Sequence, residues 1–245
     1  MRARPGRRSS RSTLMRLLFV RHGEMRVRPS EARDLATIQR LVNQELEDGL
    51  SDRGREQAAM VALTLRAHPV AAIYSSTMLR ARETAAVSAA ALRLEVTHLD
   101  ELRELRPGRL PDGSPSARFA RRVLAAPLPL ALQRFLVGPT LIRAYYRSWR
   151  RGETIGGETP AELRMRTESA IGRIRAEQPD AGRVAVFAHG FLIRTLVRDL
   201  ASGWEARAAL ARRVRLPNGS ITELDVYPEG LRLIRFADAR HLRGR

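Results

Sequence analysis

An apolar run at residues 17–20 leads directly into Arg-His-Gly-Glu at residues 21–24. Four consecutive apolar residues predict a short buried strand, and ligands of α/β sheets usually bind just beyond the carboxyl ends of such strands. At that place a neutral imidazole is a good nucleophile. A guanidinium can hold an anion through two parallel hydrogen bonds, and a glycine lets the backbone approach a ligand closely. This stretch therefore constrains both the fold and the position of a candidate site.

Strand-like and helix-like segments alternate along the rest of the chain. The pattern predicts strands at 71–74, 94–98 and 184–188, and helices at 30–47, 52–67, 75–91, from 160 onward and at 191–200. Residues 221–227 and 231–236 alternate around a Pro-Glu-Gly turn, which predicts a hairpin. The order predicts an α/β fold: a three-layer sandwich with a mostly parallel central sheet, helices on both faces and a helical insertion.

Three of the predicted strands end at polar residues. His22 follows the first strand, His189 follows the strand at 184–188, and the serines at 75–76 lead into Arg80. Because parallel strands end at the same edge of a sheet, we expect these segments to converge there. The remaining histidines are not expected to take part in chemistry: His68, His98 and His241.

Two segments fall outside the alternation. Residues 1–14 carry five Arg and several Ser without an apolar period, so we expect a disordered basic arm. Residues 107–153 contain six Pro and an aromatic, Arg-rich cluster. We interpret this second segment as an insertion within one domain that spans residues 15–245. It is expected to be a lid over the site; the alternatives are an interface, an anion-binding cluster, or an amphipathic helix packed on the domain.

The basic residues of this chain, 44 in number, are all Arg, and the formal net charge is +18. Together with only two Asn, this composition is typical of GC-biased coding. We therefore consider nucleic acid unlikely as a partner and expect the positive field to attract small phosphorylated molecules.

The absence of Cys excludes disulfides and thiolate chemistry. The most apolar window, 123–142, contains three Pro and an Arg, which argues against a membrane span, and we expect a cytoplasmic protein.

Six segments together resemble the histidine phosphatase superfamily, the phosphoglycerate mutase-like proteins. They occur in the family's order at residues 17–24, 50–58, 75–85, 102–104, 156–159 and 188–190. Each segment is short, but their joint occurrence is highly specific. The resemblance implies a histidine phosphatase-like catalytic domain over residues 15–245. We expect no metal or other cofactor, because none is required if Arg and protonated His side chains supply the positive charge.

The resemblance also implies roles for the matching residues. His22 would become phosphorylated, and Glu104 would donate a proton to the leaving oxygen, with Glu101 as the alternative donor. The phosphoryl oxygens would be bound by Arg21, Arg80 and His189, the last of which also counts as catalytic. Further candidates in the same segments are Gly23, Glu24 and Gly190. Glu158 is expected either to shape a turn or to act in the site.

Two departures from the family's pattern concern the mouth of the site. The first motif commonly continues with Thr or Ser and then Trp-Asn, whereas this chain has Met-Arg-Val-Arg at 25–28. Phe191 stands where a small residue is common. Because of these two changes, the sequence does not identify the substrate.

We expect a metal-independent phosphomonoesterase with a phosphohistidine intermediate; the alternatives are a mutase and a non-catalytic binder of phosphorylated ligands. The oligomeric state is also open, with a homodimer as one option.

Overall fold

The computed structural model describes residues 15–26, 40, 43, 48–179, 182–202 and 216–243. The predicted basic arm at 1–14 lies outside these residues, as does most of the predicted helix at 30–47. Within the described ranges, no helix is both long and apolar enough to cross a membrane.

A seven-stranded sheet runs through the described part of the chain. Its strands are β1 (Met15–Arg21), β2 (Ala72–Ser76), β3 (Val96–Leu99), β4 (Arg183–Ala188), β5 (Ala201–Ser202), β6 (Ile221–Tyr227) and β7 (Gly230–Asp238). Their spatial order is β3-β2-β4-β1-β6-β7-β5. Strands β3, β2, β4 and β1 are parallel, whereas β6 runs antiparallel to β1 and β7. The predicted parallel sheet and C-terminal hairpin are therefore confirmed.

Six α-helices surround this sheet in the described ranges. They are α1 (Asp52–Ala67), α2 (Leu79–Leu92), α3 (Pro115–Ala125), α4 (Leu130–Arg150), α5 (Pro160–Glu177) and α6 (Gly190–Asp199). The prediction that a helix opens at residue 75 is wrong. Ser75 and Ser76 instead pair with β3 opposite His98 and Leu99, so β2 continues through them and α2 begins three residues later.

Strand β1 is buried on both faces, which is why its sequence is apolar at consecutive positions. Leu17 and Phe19 belong to a core cluster that includes residues of α5 and α6. Leu18 and Val20 point to the opposite face, into a cluster that includes residues of α1 and α2. The sheet is therefore the middle layer of the predicted three-layer sandwich.

Two helices begin at side-chain caps that the sequence makes recognisable. The hydroxyl of Ser51 accepts a hydrogen bond from the backbone N–H of Gly54 at the start of α1. At the start of α5, Thr159 and Glu162 form a reciprocal capping box, and Pro160 occupies the first helical position. These caps fix where α1 and α5 leave the loops that lead to the edge of the sheet.

The insertion at 107–153 contains α3 and α4, which contact each other. In α4, the side chains of Tyr145 and Trp149 are buried, and the indole N–H of Trp149 donates to the carbonyl oxygen of Glu158. Arg150 forms a 2.7 Å ion pair with Asp199 at the end of α6. The aromatic cluster is therefore a packed helix face, which was one of the interpretations of this segment.

Two glycines bring the loop after β1 against the first turn of α1. A Cβ on Gly23 would lie 2.5 Å from the carbonyl oxygen of Gly54, and a Cβ on Gly54 would overlap the carbonyl oxygen of Glu24. Both clashes are with backbone, which cannot rotate away. Gly23 is therefore required for close packing against α1, in addition to any approach to a ligand.

Gly54→Ala should lower the free energy of unfolding by about 1–3 kcal/mol, because the new methyl group forces the loop and helix apart. Gly172→Ala is the matched control: it lies inside α5, where an added Cβ would meet no atom within 4 Å. That change should raise stability by about 0.5–1 kcal/mol. Urea denaturation measures both values, and equal effects of the two substitutions would contradict the packing described here.

Candidate active site

The ends of β1, β2 and β4 bring three side chains of the sequence prediction together. The ring centroids of His22 and His189 lie 5.1 Å apart, and Nε of Arg80 lies 3.2 Å from Nε2 of His22. All three side chains are buried, with at most 4% of each residue exposed. The predicted convergence at the carboxyl edge of the sheet is thus confirmed for these segments.

The ring of His22 is held in one tautomer. Its Nδ1 lies 2.7 Å from the carbonyl oxygen of Gly23, which can only accept a hydrogen bond, so Nδ1 carries the proton. Nε2 then carries the lone pair, and Arg80 donates to it. An imidazole arranged in this way presents its nucleophilic nitrogen to a guanidinium.

Both buried histidines are held in the neutral form. Burial lowers the pKa of His22 well below 6.5, and the positive charges of Arg80 and Arg21 lower it further. Burial is also the main cause that lowers the pKa of His189, followed by Arg80. His189 is therefore a neutral donor here, in contrast to the protonated His expected from the sequence, and the arginines supply the positive charge.

Arg80 and Arg21 are both held close to the histidines. Burial lowers the pKa of Arg80 to about 10, although the negative charge of Glu104 partly opposes this effect, so the guanidinium stays charged at neutral pH. Arg21 donates to the carbonyl oxygen of Leu216. A Cβ on Gly190 would lie 3.3 Å from Nε of Arg21, so this glycine leaves space for the guanidinium.

Only one of the two candidate carboxyls lies with this group. The oxygens of Glu104 accept hydrogen bonds from the backbone N–H groups of Leu105, Phe191 and Leu192 at 3.0–3.1 Å, the last two at the start of α6. Glu101 differs, because it faces α5: the pKa of Arg173 in that helix is raised mainly by its hydrogen bond with Glu177 and to a smaller extent by the carboxylate of Glu101. The structure therefore favours Glu104 over Glu101.

Glu24 and Glu158 hold neighbouring loops in place through hydrogen bonds and an ion pair. The backbone N–H of Glu24 donates to Gln57 at 2.8 Å, and its carboxylate accepts from Ser51, so it links the loop after β1 to α1. Glu158 forms a two-point ion pair with Arg166. Arg166 in turn donates to the carbonyl oxygens of Glu101 and Arg103, which positions the loop that carries Glu104.

Sequence reasoning missed three residues that orient the site. Asn218 donates to the carbonyl oxygens of His22 and Gly23 at 3.0 and 3.2 Å. Thr84 accepts from the backbone N–H of Gly23 and donates to the carbonyl oxygen of Arg80. The rarity of Asn in this chain was a signal that could have drawn attention to Asn218.

The third missed residue is Ser76, whose hydroxyl is the hydrogen-bond partner of the His189 ring. Its hydroxyl oxygen accepts from the backbone N–H of Met78, and it lies 2.8 Å from Nε2 of His189. If the hydroxyl donates its proton to Nε2, the ring proton of the neutral imidazole lies on Nδ1. That Nδ1 is buried and has no hydrogen-bond partner among the described residues. It is the ring nitrogen that can donate to a bound oxyanion.

The neutral histidines predict how stability changes with pH. In the unfolded chain His22 takes up a proton near pH 6.5, whereas in the folded chain it stays neutral. The unfolded state therefore binds more protons as the pH falls, and stability decreases below this value. His22→Gln should reduce the loss of stability between about pH 6.5 and pH 5.5 by about 1 kcal/mol. Urea denaturation at both pH values measures it; equal losses in the two proteins would contradict a neutral His22.

The fold and the site can now be compared with known proteins. Residues 17–127 and 138–239 match the sequence profile of the histidine phosphatase superfamily (branch 1). A Salmonella paratyphi A protein named "Probable phosphoglycerate mutase GpmB" is 27% identical over 212 residues, which cover 86% of this chain and 85% of that protein.

Two solved structures illustrate the agreement in fold. A mycobacterial glucosyl-3-phosphoglycerate phosphatase superposes with a TM-score of 0.66 at 24% identity, covering 92% of this chain and 100% of the other. A phosphoglycerate mutase from Bacillus anthracis gives a TM-score of 0.64 at 22% identity, covering 96% and 98%. With its strand order, its clustered histidines and arginine, and a profile match over most of its length, the chain belongs to the histidine phosphatase superfamily, which includes phosphatases and mutases.

Proposed function

We propose that this chain is a metal-independent phosphomonoesterase that cleaves a small phosphorylated molecule through a phosphohistidine at His22. The orientation of the His22 ring carries the proposal. Because Nδ1 is bonded to the carbonyl oxygen of Gly23, the lone pair of Nε2 is directed toward the guanidinium of Arg80. A phosphoryl group bound by that guanidinium would lie within reach of the nucleophile.

Three donors would surround the phosphoryl oxygens: the guanidinium groups of Arg21 and Arg80 and the Nδ1–H of His189. Arginine matches the geometry of a phosphoryl group because it donates two parallel hydrogen bonds. These fixed donors would stabilise the charge that is spread over the equatorial oxygens in the transition state. The buried position of the site strengthens each of these interactions, because water does not screen them.

The reaction would proceed in two steps. Nε2 of His22 attacks phosphorus in line while the bond between phosphorus and the alcohol oxygen breaks, and that oxygen takes the proton that the neutral carboxyl form of Glu104 carries in the complex with substrate. A water molecule then attacks the phosphohistidine and gives a proton to Glu104, the N–P bond breaks, and orthophosphate leaves. His22 and Glu104 return to their starting states.

The hydrogen bonds of Glu104 indicate which oxygen would carry the transferred proton. Oε1 accepts from the backbone N–H groups of Leu105 and Leu192, whereas Oε2 accepts only from Phe191 among the described contacts. A carboxylate oxygen has two lone pairs. Oε2 therefore retains one lone pair for a proton, and it is our candidate for the acid and base atom.

A mutase is the second candidate, favoured by the relative named a phosphoglycerate mutase. It would share the first step but would return the phosphoryl group from His22 to an alcohol instead of passing it to water. The two candidates are separated by the fate of the phosphoryl group. Release of orthophosphate in the absence of an acceptor alcohol supports the phosphatase, and transfer that requires an acceptor supports the mutase.

His22→Ala tests the nucleophile. In excess chelator, the wild type should hydrolyse p-nitrophenyl phosphate, and the variant should lose activity by about 10³-fold or more, since its reacting atom is gone. His68→Ala, which removes an exposed histidine at the end of α1, serves as the control and should keep full activity. Activity that survives in His22→Ala would show that another group attacks phosphorus. Binding without turnover in the wild type would indicate a non-catalytic binder.

Glu104→Gln tests the proton donor. An alkoxide is a poor leaving group, so hydrolysis of an alkyl phosphate should fall by about 10²–10⁴-fold. Hydrolysis of p-nitrophenyl phosphate should fall much less, because nitrophenolate leaves without a proton. Glu101→Gln is the matched control and should change neither rate. An equal loss on both substrates in Glu104→Gln would point to a structural role, and a selective loss in Glu101→Gln would reassign the acid.

A further inference from the structure

An apolar pocket lies between the insertion and the proposed acid. Its walls are formed by Leu105, Pro107, Ile142, Tyr145, Tyr146 and Phe191. The three residues of α4 recur at helical spacing, so one face of that helix forms one wall. The opposite wall comes from the loop that follows Glu104 and from the first turn of α6, which follows His189. We call this space the alcohol pocket.

Backbone hydrogen bonds place the alcohol pocket next to Glu104. The carboxylate accepts from the N–H groups of Leu105 and Phe191, and both these residues line the pocket. A group that protonates the leaving oxygen must lie against that oxygen. The remainder of the alcohol then has to occupy the space beside Glu104, which is where this pocket lies.

The surface of the alcohol pocket is apolar. Within the part of the chain that the structure describes, none of the six lining residues carries a charge, and the hydroxyl oxygens of Tyr145 and Tyr146 are themselves buried in the protein. The rings of Tyr146 and Phe191 stack with a centroid distance of 5.5 Å and an interplanar angle of 22°. Phe191, the residue that departs from the family's usual small side chain, thus contributes directly to the apolar wall.

We propose that the alcohol pocket selects phosphomonoesters whose alcohol is a hydrocarbon group, such as a single ring, over esters of polyhydroxylated or carboxylated alcohols. Transfer of a hydrocarbon group from water into this pocket lowers the free energy, because apolar surface is removed from water. Among the described lining residues, an entering hydroxyl group would find no accessible side-chain partner and an entering carboxylate would find no counter-charge, and both losses are costly. This inference rests on the proposed function, since it takes Glu104 as the acid.

The first test uses two phosphonates that cannot be hydrolysed. 2-Phenylethylphosphonate imitates the ester of benzyl alcohol, and 3,4-dihydroxybutylphosphonate imitates glycerol phosphate. Calorimetric titration of the wild type should show that the phenyl compound binds about tenfold more tightly, because only its alcohol portion is apolar. Equal affinity, or tighter binding of the dihydroxy compound, would overturn the proposal.

A substitution in the wall gives the second test. Ile142→Asn places an amide in the alcohol pocket and should abolish most of the preference for the phenyl phosphonate. Leu132→Asn is the matched control: it introduces the same residue on the same helix, at a position that is 42% exposed and is not among the lining residues. It should leave the preference unchanged. Equal effects of the two variants would show that the pocket does not contact the ligand.

Turnover separates this inference from the proposed function. Hydrolysis of benzyl phosphate with a higher kcat/KM than glycerol 1-phosphate supports both, since the two alkyl leaving groups need the same acid. A preference for glycerol 1-phosphate overturns the pocket assignment and leaves the phosphatase intact. If the phenyl phosphonate binds more tightly but neither ester is cleaved, the apolar subsite stands and the proposed function fails.

Discussion

The site depends on the 2.7 Å hydrogen bond between Nδ1 of His22 and the carbonyl oxygen of Gly23. This bond places the proton on one ring nitrogen and the lone pair on the other, and so decides which atom can act as a nucleophile. The carbonyl is held in place by Asn218, and the adjoining backbone N–H is held by Thr84. The close contact of Gly23 with Gly54 fixes the same loop against α1.

Burial and positive charge act on this ring in the same direction. Both disfavour the protonated imidazole, so the pKa of His22 lies well below 6.5 and the ring is neutral at neutral pH, as the proposed attack by Nε2 requires. The same environment lowers the free energy of unfolding as the pH falls, because the unfolded chain then binds more protons than the folded chain. A buried Arg80 that stays charged beside two neutral histidines gives the site a positive charge to which a phosphoryl dianion is complementary.

Much of this arrangement could be predicted from the sequence. Strand β1 is buried on both faces, so it can be recognised from its consecutive apolar residues. His22 and His189 can be placed at the edge of the sheet because each directly follows a strand. Glu104 could be chosen through the resemblance, but its advantage over Glu101 became visible only from the N–H groups of α6 that bind it. Contacts between distant segments, such as those of Asn218, leave no local periodic signal. The alcohol pocket was unpredictable for the same reason, because α4, the loop after Glu104 and the start of α6 form it together.

The central claim is that phosphate is transferred to His22. It is tested most directly by mixing the enzyme with a phosphomonoester, stopping the reaction in alkaline denaturant within the first turnover, and mapping the modification by mass spectrometry. We predict a transient phosphate on His22 that survives alkali and is lost in acid. Phosphate on another residue, or full turnover without any modified His22, would contradict the claim.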